Sequence, residues 1–330
     1  MKKILVCGIG NALVDSEYRV SEEEITQLNL TKGCMELNDE QNHIKLSSRL
    51  RETHGTVKMM PGGSVANSLY TLSQFGTGVS FIGRVSDDST GDAFINSLKN
   101  TGVQVNINQV DNGITGECLV LITPDHERTM YTHLGVSSEL DLNDINQAVI
   151  KDSEYLLVEG YLVTSEETKN VANYSLDIAT KHGVKKIITL SDPNVVKFFR
   201  DNVLELLNKS FDIIFCNKQE ALNISMSNNI DDAIDFLKKY AQEIIITCGE
   251  DGAYVTVGSE KLHEIADNVK PVDLTGAGDM FLAAYIFAKV SDKSVIDRIK
   301  FANTCSGNVI QTYGAKLDKQ DYIKLLKKLQ

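Results

Sequence analysis

The second half of the chain alternates between short, mostly apolar runs and amphipathic stretches. The runs have the length of strands, and the stretches between them have the apolar spacing of helices. Runs of this kind, separated by helices, are typical of a parallel sheet covered on both faces, so the pattern predicts an α/β fold. The predicted strands are 155–158, 186–190, 212–216 and 243–247, the helices between them are 166–181, 195–208 and 230–240, and three more helices follow Gly276, with caps near Ser291 and Asp318.

The first half of the chain has a different pattern. Two segments, 10–37 and 116–134, alternate apolar and polar residues, which is typical of strands with one face towards solvent. In the second segment, two runs flank a turn signal at 124–127. We expect these strands to leave the main sheet and to form a small second layer that covers a site.

Composition excludes several classes of protein. The 330 residues and 36.4 kDa allow two domains or one large α/β domain, and 42 % hydrophobic with 24 % charged residues is normal for a globular protein. A net charge of −12 without a basic run gives no electrostatic basis for binding nucleic acid or an anionic membrane. The sequence has no apolar window long enough to span a bilayer. The six cysteines are widely spaced and include no C-x-x-C pair, and this spacing argues against disulfides or a zinc site. These features predict a cytoplasmic location.

The strongest local signal is a glycine-rich turn, 273–279, that opens directly into an apolar helix. The first amides of a helix lack intrahelical partners, and the helix dipole adds partial positive charge there. Gly276 and Gly278 let a ligand oxygen approach the backbone, which suits an anion in an acidic protein. Asp279 is then either a favourable charge for the helix start or a base that takes a proton from a hydroxyl beside the anion site.

A second glycine-rich turn, 60–67, also precedes a helix. Gly62 and Gly63 either make a tight turn for packing or let a hydroxylated ligand lie against the backbone, with Asn67 offering its amide. The segment nearly matches the G-x-S-x-G nucleophile elbow around Ser64 but lacks its final glycine. A hydrolase with Ser64 as nucleophile would also need an acid and then a histidine later in the chain. The histidine found there, His263, lies in a polar stretch, so this is the weaker alternative.

Two weaker signals follow other predicted strands. The segment 8–13 lacks the third glycine of a dinucleotide-binding fingerprint, so NAD binding is not predicted. Asn11 and Asp15 leave the end of the first strand, where an acid could hold vicinal hydroxyls. Asn217 and Glu220 are either a helix cap or a pair that holds metal-bound water near phosphates. P-loop and protein-kinase motifs are absent.

In this order, the motifs resemble those of the ribokinase-like (PfkB) carbohydrate kinase family, and more closely those of its adenosine kinase-like branch. The resemblance covers nearly the whole chain, and its most specific piece is the similarity of 273–279 to D-T-x-G-A-G-D. The other pieces are 8–15 (G-x-G-N-x-L-x-D), Gly62-Gly63 with Asn67 (the first family signature), 189–193 (N-L-S-x-P) and Asn217 with Glu220 (N-x-x-E). The resemblance implies one kinase domain, 1–330, with a three-layer α/β/α fold, a mostly parallel central sheet and a small β-sheet lid inserted at about 14–60 and 110–135.

The family phosphorylates a primary hydroxyl of a sugar or nucleoside with ATP. By resemblance, Asp279 is the base, the amides of Gly276, Ala277 and Gly278 form the anion hole, and Arg128 of the lid closes on the transferred phosphate. The acceptor would contact Asn11, Asp15, Gly62, Gly63 and Asn67. ATP would contact Asn217, Glu220, Thr247, Gly249, Gly252 and Asn303.

The resemblance also implies cofactors and partners. Mg²⁺ would be held through water by Glu220, and a monovalent cation is a further candidate. The expected partners are ATP and a small nucleoside or sugar, without nucleic acid or membrane, and the protein would act as a monomer or homodimer.

Two residues depart from the family pattern. Leu274 replaces the threonine of the second signature, and Leu162 stands where animal-type adenosine kinases place an aromatic against the base, although Tyr161 is adjacent. The resemblance predicts transfer of the γ-phosphate to the 5′ hydroxyl of a nucleoside, with adenosine as the first candidate. The two departures leave other acceptors open. The alternatives are a kinase for ribose, fructose or a related sugar and, as a weaker hypothesis, a non-catalytic sensor.

Overall fold

The computed structural model describes residues 4–33, 35–55, 59–125 and 127–329. Within these residues the strands form one large sheet and one small sheet. The large sheet contains β1 (Ile4–Ile9), β5 (Val79–Ser86), β6 (Gln104–Val110), β9 (Ser153–Glu159), β10 (Lys185–Thr189), β11 (Phe211–Asn217), β12 (Ala241–Thr247), β13 (Ala253–Val257) and β14 (Glu260–Glu264). The small sheet contains β2 (Leu13–Arg19), β3 (Met35–Leu37), β4 (Met59–Gly62), β7 (Thr115–Ile122) and β8 (Arg128–Gly135).

Helices cover both faces of the large sheet and one face of the small sheet. The first face packs against α3 (Ser64–Gln74), α4 (Ser89–Asn100), α11 (Ala277–Val290), α12 (Val295–Val309) and α13 (Lys319–Leu329). The second face packs against α5 (Gln147–Lys151), α6 (Glu166–His182), α7 (Pro193–Phe198), α8 (Arg200–Leu207), α9 (Lys218–Ser225) and α10 (Ile230–Leu237). The small sheet packs against α1 (Glu22–Gln27) and α2 (Glu40–His54).

The large sheet has the order β14-β13-β12-β11-β10-β9-β1-β5-β6. The strands from β12 to β6 run parallel, and β13 and β14 are added antiparallel at one edge. Alternate residues of one strand enter different cores: Val6 packs on the first face, and Cys7 and Ile9 pack on the second. Burial on both faces explains the apolar runs and confirms the three-layer α/β/α fold with a mostly parallel sheet.

The small sheet has the order β3-β8-β7-β2-β4, and its two faces differ. Asp15 of β2 pairs with Cys118 of β7, and Cys118 pairs with Thr132 of β8; these side chains face a cavity. Tyr18 and Leu119 face the other way and pack under α1 and α2. The turn predicted at 124–127 includes position 126, which lies outside the described residues.

The prediction of strands throughout 10–37 is wrong, because α1 lies inside that range. Ser21 and Glu24 form a complete capping box, in which each side chain accepts a hydrogen bond from the other's backbone N–H. Sequence reasoning also missed α2, which starts at the N-cap Asp39 and buries Leu46 and Leu50 against the small sheet.

The single helix predicted at 195–208 is in fact two helices. Asp192 caps α7, so that helix starts two residues early, at Pro193. Phe199 separates α7 from α8 with φ of −115° and ψ of 29°. Arg200 donates two hydrogen bonds to the Ile224 carbonyl and thereby fixes the start of α8 against the end of α9.

Some properties concern the described part of the chain only. None of its helices is both long and apolar enough to cross a bilayer. Its cysteines are free thiols, and Cys34 lies outside it. Within the same ranges, three or more His, Cys, Asp or Glu side chains nowhere cluster closely enough to hold a metal ion by themselves.

Candidate active site

A cavity of about 740 Å³ lies between the small sheet and the carboxyl ends of the parallel strands. This is the edge at which open α/β sheets bind ligands. Glu159, Thr189 and Asn217 line it from strand ends of the large sheet, and Leu13 and Asp15 line it from the small sheet. The predicted site residues found in its wall are Asn11, Asp15, Gly63, Asn67, Asn217, Glu220, Thr247, Gly276, Ala277, Gly278 and Asp279.

A second cavity of about 250 Å³ adjoins the first. Its wall contains the predicted nucleotide residues Gly249, Gly252 and Asn303. Ala277 and Gly278 line both cavities, so the tip of α11 lies between them. A ligand in either cavity can therefore reach the same helix start.

The tip of α11 is open because of its glycines. Gly276 is the N-cap, has φ of +76° and makes no side-chain capping bond. A Cβ at Gly276 would lie 2.5 Å from the Ala315 side chain, whereas a Cβ at Gly278 would meet nothing within 4 Å. The first amides of α11 thus have no side-chain cap beside the cavities, although Ala277 N donates to the Leu274 carbonyl at 3.3 Å. Helix starts without a side-chain cap are places where anions bind.

Asp279 follows this tip and points towards α3. Its carboxylate accepts hydrogen bonds from Ser64 Oγ at 2.6 Å and from Asn67 Nδ2 at 3.0 Å. Burial raises the pKa of Asp279 to about 6, against the effect of these bonds and of the Lys316 charge. The group is mostly ionised at neutral pH, with a pKa near enough to accept and return a proton.

The same geometry speaks against a Ser64 nucleophile. Ser64 donates its hydroxyl hydrogen bond straight to Asp279, with no imidazole between them. His263, the late histidine, stacks on Tyr254 at 4.1 Å and bonds the Asp251 carbonyl instead.

Asp15 lies on β2, and the glycine pair leaves room for it. A Cβ at Gly62 would lie 2.5 Å from an Asp15 carboxylate oxygen. The structure places Gly62 behind this carboxylate rather than in the cavity wall, while Gly63, with φ of +87°, lines the cavity next to Asn11. Burial raises the pKa of Asp15 to about 6, and the charge of Lys316 opposes this rise.

Glu159 is a buried carboxylate that sequence reasoning missed. It is 1 % exposed at the end of β9 and accepts hydrogen bonds from Asn11 N at 2.8 Å and Val65 N at 3.1 Å. Because the N-cap of α3 is Gly63, Glu159 supplies the acceptor that this helix start lacks. Burial raises its pKa to about 7. Its place at a strand end, directly after an apolar run, is the one signal that could have identified it.

Arg128 of β8 connects the small sheet to the glycine-rich turn. Its guanidinium lies 2.7 Å from Glu17 and 2.8 Å from Asp273, and it donates to Thr275 Oγ1 at 2.7 Å. The structure does not place it in the wall of either cavity.

Asn217 and Glu220 form a capping box at the start of α9. The Glu220 carboxylate accepts from Asn217 N at 2.9 Å and from Asn217 Nδ2 at 2.6 Å. Burial, helped by the Asp192 charge, raises the pKa of Glu220 to about 7. Asp192 and Glu220 both line the first cavity, and within the described ranges neither of these two carboxylates makes an ion pair. Carboxylate oxygens that have no cationic side chain as a partner fit Mg²⁺ bound through water.

Several apolar side chains of α7 and the small sheet line the first cavity, beside the polar Asn194 and Thr132. Tyr161 lines it, whereas Leu162 is wholly buried in the core behind. Phe198 of α7 and Leu37 of β3 also line it and are 71 % and 55 % exposed. Large apolar side chains at a cavity mouth mark a surface that a ligand covers.

Residues 34–321 match the family model of the pfkB family carbohydrate kinases. The chain belongs to this family. Its members named in the comparisons are kinases, so the protein is a phosphotransferase with an alcohol group as acceptor.

Similar proteins with different acceptors support this membership. The crystal structure of adenosine kinase from Sinorhizobium meliloti has a TM-score of 0.90 and 30 % sequence identity, covering 99 % of this chain and 100 % of that chain. A 5-dehydro-2-deoxygluconokinase of Clostridium perfringens is 24 % identical over 272 residues, which are 78 % of this chain and 80 % of the relative. A putative ribokinase II of E. coli, in complex with ATP and Mg²⁺, has a TM-score of 0.79 at 19 % identity and covers 98 % of this chain and 99 % of that chain. The fold is thus ribokinase-like.

In this pfkB-family kinase five motif segments meet at one site: 8–15, 62–67, 189–193, 217–220 and 273–279. Most residues predicted from them lie in the two cavity walls, and Gly62 and Arg128 lie just outside. Besides Glu159, sequence reasoning missed Lys316, whose charge acts on both Asp15 and Asp279. No motif of the sequence pointed to Lys316.

Proposed function

We propose that this pfkB-family kinase transfers the γ-phosphate of ATP to the 5′ hydroxyl of a nucleoside, with adenosine as the first candidate. The observation that carries this proposal is the apolar wall formed by Tyr161, Phe198 and Leu37 in the same cavity as Asp15 and Asp279. A cavity of about 740 Å³ has room for more than one sugar ring.

The lining of the cavity suits the two parts of a nucleoside. Asp15, Asn11 and Asn67 offer a carboxylate and amides, which bind the hydroxyls of a ribose. Tyr161 and Phe198 offer aromatic surface, on which a flat base buries its faces. A free sugar carries hydroxyls on every side and gains little from such a wall.

Asp279 would act as the base in this reaction. Its carboxylate takes the proton of the acceptor hydroxyl, and the bond from Asn67 keeps the carboxylate oriented. The amides of Ala277 and Gly278 lie where both cavities meet and stabilise negative charge on the phosphoryl group in transfer. When bound, Mg²⁺ would neutralise phosphate charge, and Asp192, Asn217 and Glu220 would hold it through water.

The proposed roles of the remaining residues follow from their positions. Gly249, Gly252 and Asn303 would contact the nucleoside part of ATP in the second cavity. Arg128 would leave Glu17 or Asp273 to approach the phosphate when the small sheet closes as a lid. The monovalent cation, the cytoplasmic location and the choice between monomer and homodimer stay predictions.

A sugar acceptor is the second candidate. The similarity to 5-dehydro-2-deoxygluconokinase favours it, and so does the polar end of the cavity, where Glu159 adds a third carboxylate to Asp15 and Asp279. In that case the apolar wall would have no partner.

A panel of acceptors tests the proposal. Purified protein with Mg-ATP is given adenosine, inosine, uridine, ribose and fructose, and ADP release is measured; 5′-deoxyadenosine serves as the control without a 5′ hydroxyl. We expect kcat/KM for adenosine to exceed that for ribose by at least about 100-fold, since a buried aromatic face contributes several kcal/mol, and no turnover of 5′-deoxyadenosine. A preference for ribose or fructose would contradict the nucleoside proposal.

The role of Asp279 is tested by Asp279→Asn, which keeps the size and removes the base. We expect kcat to fall by about 10²–10⁴-fold with an unchanged melting temperature. Ser64→Ala is the matched control, because it removes one hydrogen bond to Asp279 without removing the base. Wild-type turnover by Asp279→Asn would show that another group accepts the proton.

A further inference from the structure

Lys316 lies in the segment that packs against the tip of α11, outside the walls of the two cavities. Ala315, its neighbour, occupies the space that a Cβ at Gly276 would need. Lys316 Nζ donates a hydrogen bond to the Pro61 carbonyl and lies 4.9 Å from the centroid of the Tyr70 ring. These contacts fix the ammonium group between the end of β4 and the start of α11.

The position of Pro61 brings this ammonium group near two carboxylates. Pro61 precedes Gly62, which packs directly against the Asp15 carboxylate. The helix that follows, α3, supplies Ser64 and Asn67 to Asp279. In the part of the chain that the structure describes, Lys316 makes no direct ion pair, so its charge is shared between groups rather than neutralised by one.

Charges of both signs surround the two carboxylates. Lys316 is the single charged group that lowers the pKa of Asp279. At Asp15 it has a larger effect than Arg128, which is paired with Glu17 and Asp273. The titratable and charged groups that face one or both of the two carboxylates are Glu17, Cys118, Arg128, Glu159, Tyr161 and Lys316, and Tyr70 faces Lys316.

We propose that Lys316 is a positioning residue that keeps Asp15 and Asp279 ionised side by side, so that Asp279 is ready to accept the proton of the acceptor hydroxyl. Two carboxylates that share a partly buried site repel each other, and one of them takes up a proton unless a cation lies near both. The proposal rests on the role of Asp279 in the proposed function. It does not depend on which acceptor the enzyme prefers.

The pH dependence of the reaction tests this role. Lys316→Met and Lys316→Gln remove the charge, Lys316→Arg keeps it, and Lys319→Met removes an exposed lysine of the same segment as a control. For each protein, kcat/KM is measured from pH 5 to 9 with Mg-ATP and the acceptor that wild type prefers, and the melting temperature is recorded.

We expect the acidic limb of the kcat/KM profile to move to higher pH by about half to one unit in Lys316→Met and Lys316→Gln, because the proton then binds Asp279 more readily. At pH 5.5 their kcat/KM falls about 3–10-fold below wild type, and at pH 8.5 it stays within about twofold. Lys316→Arg and Lys319→Met keep the wild-type limb.

Three results would overturn the proposal: an unmoved acidic limb in the charge-removing variants, an equal loss at every pH, or the same loss in Lys316→Arg. An equal loss would indicate that Lys316 only holds β4 in place through Pro61. If Lys316→Met does not fold, Lys316→Gln decides, since its amide can still donate to the Pro61 carbonyl. A wild-type enzyme that prefers a sugar would refute the nucleoside proposal and leave this test intact.

Discussion

At the scale of residues, two glycines of one turn have different tasks. Gly276 adopts a left-handed backbone conformation, and Ala315 leaves no room for a side chain there. Gly278 has an ordinary conformation for a helix start and open space around it. Gly276 is therefore needed by the fold, whereas a side chain at Gly278 would meet only what enters the two cavities.

Replacing each glycine by alanine separates the two tasks. We expect Gly278→Ala to leave the free energy of unfolding within about 1 kcal/mol, because alanine favours a helix, and to lower kcat/KM at least about 10-fold, because its methyl group occupies the approach to the amides. We expect Gly276→Ala to lower the free energy of unfolding by about 1–3 kcal/mol. Urea denaturation and steady-state kinetics measure both effects; a fully active Gly278→Ala would refute the assignment of this tip.

How far single residues could be predicted depends on how local their signals are. Asp279 and Asn67 belong to short motifs, so spacing alone pointed to them. Glu159 and Lys316 bond to Val65 and Pro61, which are 94 and 255 positions away along the chain, and no local pattern marks such a contact. Tyr161 and Leu162 differ by one position, and only the path of the chain after β9 decides which of them meets the cavity.

At the scale of elements, Arg128 is the polar connection between the small sheet and the turn before α11. It carries two ion pairs and one hydrogen bond while being largely buried. Ion pairs of this kind are worth more than exposed ones because little water competes for the charges. The distance between β8 and the turn thus depends on one side chain.

Removing this side chain should loosen the small sheet. We expect Arg128→Met to raise amide hydrogen exchange in β7 and β8 and to lower kcat about 10-fold or more, since closure no longer brings a cation to the phosphate. Lys32→Met is the control, because Lys32 makes ion pairs with Glu22 and Asp125 from the turn between α1 and β3. Unchanged exchange in Arg128→Met would mean that other contacts hold the sheet.

The strands β9 to β12 were predictable because each of them is buried on both faces and therefore consists mostly of apolar residues. In the small sheet, β7 and β8 were predicted from the two runs that flank the turn at 124–127, whereas the helices α1 and α2 that cover the sheet were not. The capping box at Ser21 and Glu24 was present in the sequence, but the apolar alternation around it concealed α1. Position 199 carries no breaker residue, so the break between α7 and α8 follows from tertiary contacts.

At the scale of the whole molecule, four cavity carboxyl groups have raised pKa values in the folded state. The values are about 6 for Asp15 and Asp279 and about 7 for Glu159 and Glu220, with burial as the main cause in each case. Between pH 4 and these values, the folded state binds more protons than the unfolded state. Stability therefore falls as the pH rises through this range.

We expect the ligand-free protein to be more stable at pH 5.5 than at pH 7.5, by roughly 2–4 kcal/mol in the free energy of unfolding. Urea denaturation at both values measures the difference. Glu220→Gln should reduce it, because glutamine keeps the capping box of α9 and carries no titrating proton. Equal stability at the two values, or no change in Glu220→Gln, would show that these groups titrate normally.

The two cavities share part of their walls, to which Thr247, Leu274, Ala277 and Gly278 belong. In the proposed reaction, donor and acceptor of the phosphoryl group would approach the tip of α11 from these two cavities. If these roles hold, a compound that links two nucleosides through a chain of phosphates would occupy both cavities at once. It would compete with each substrate separately, which neither half of the compound can do alone.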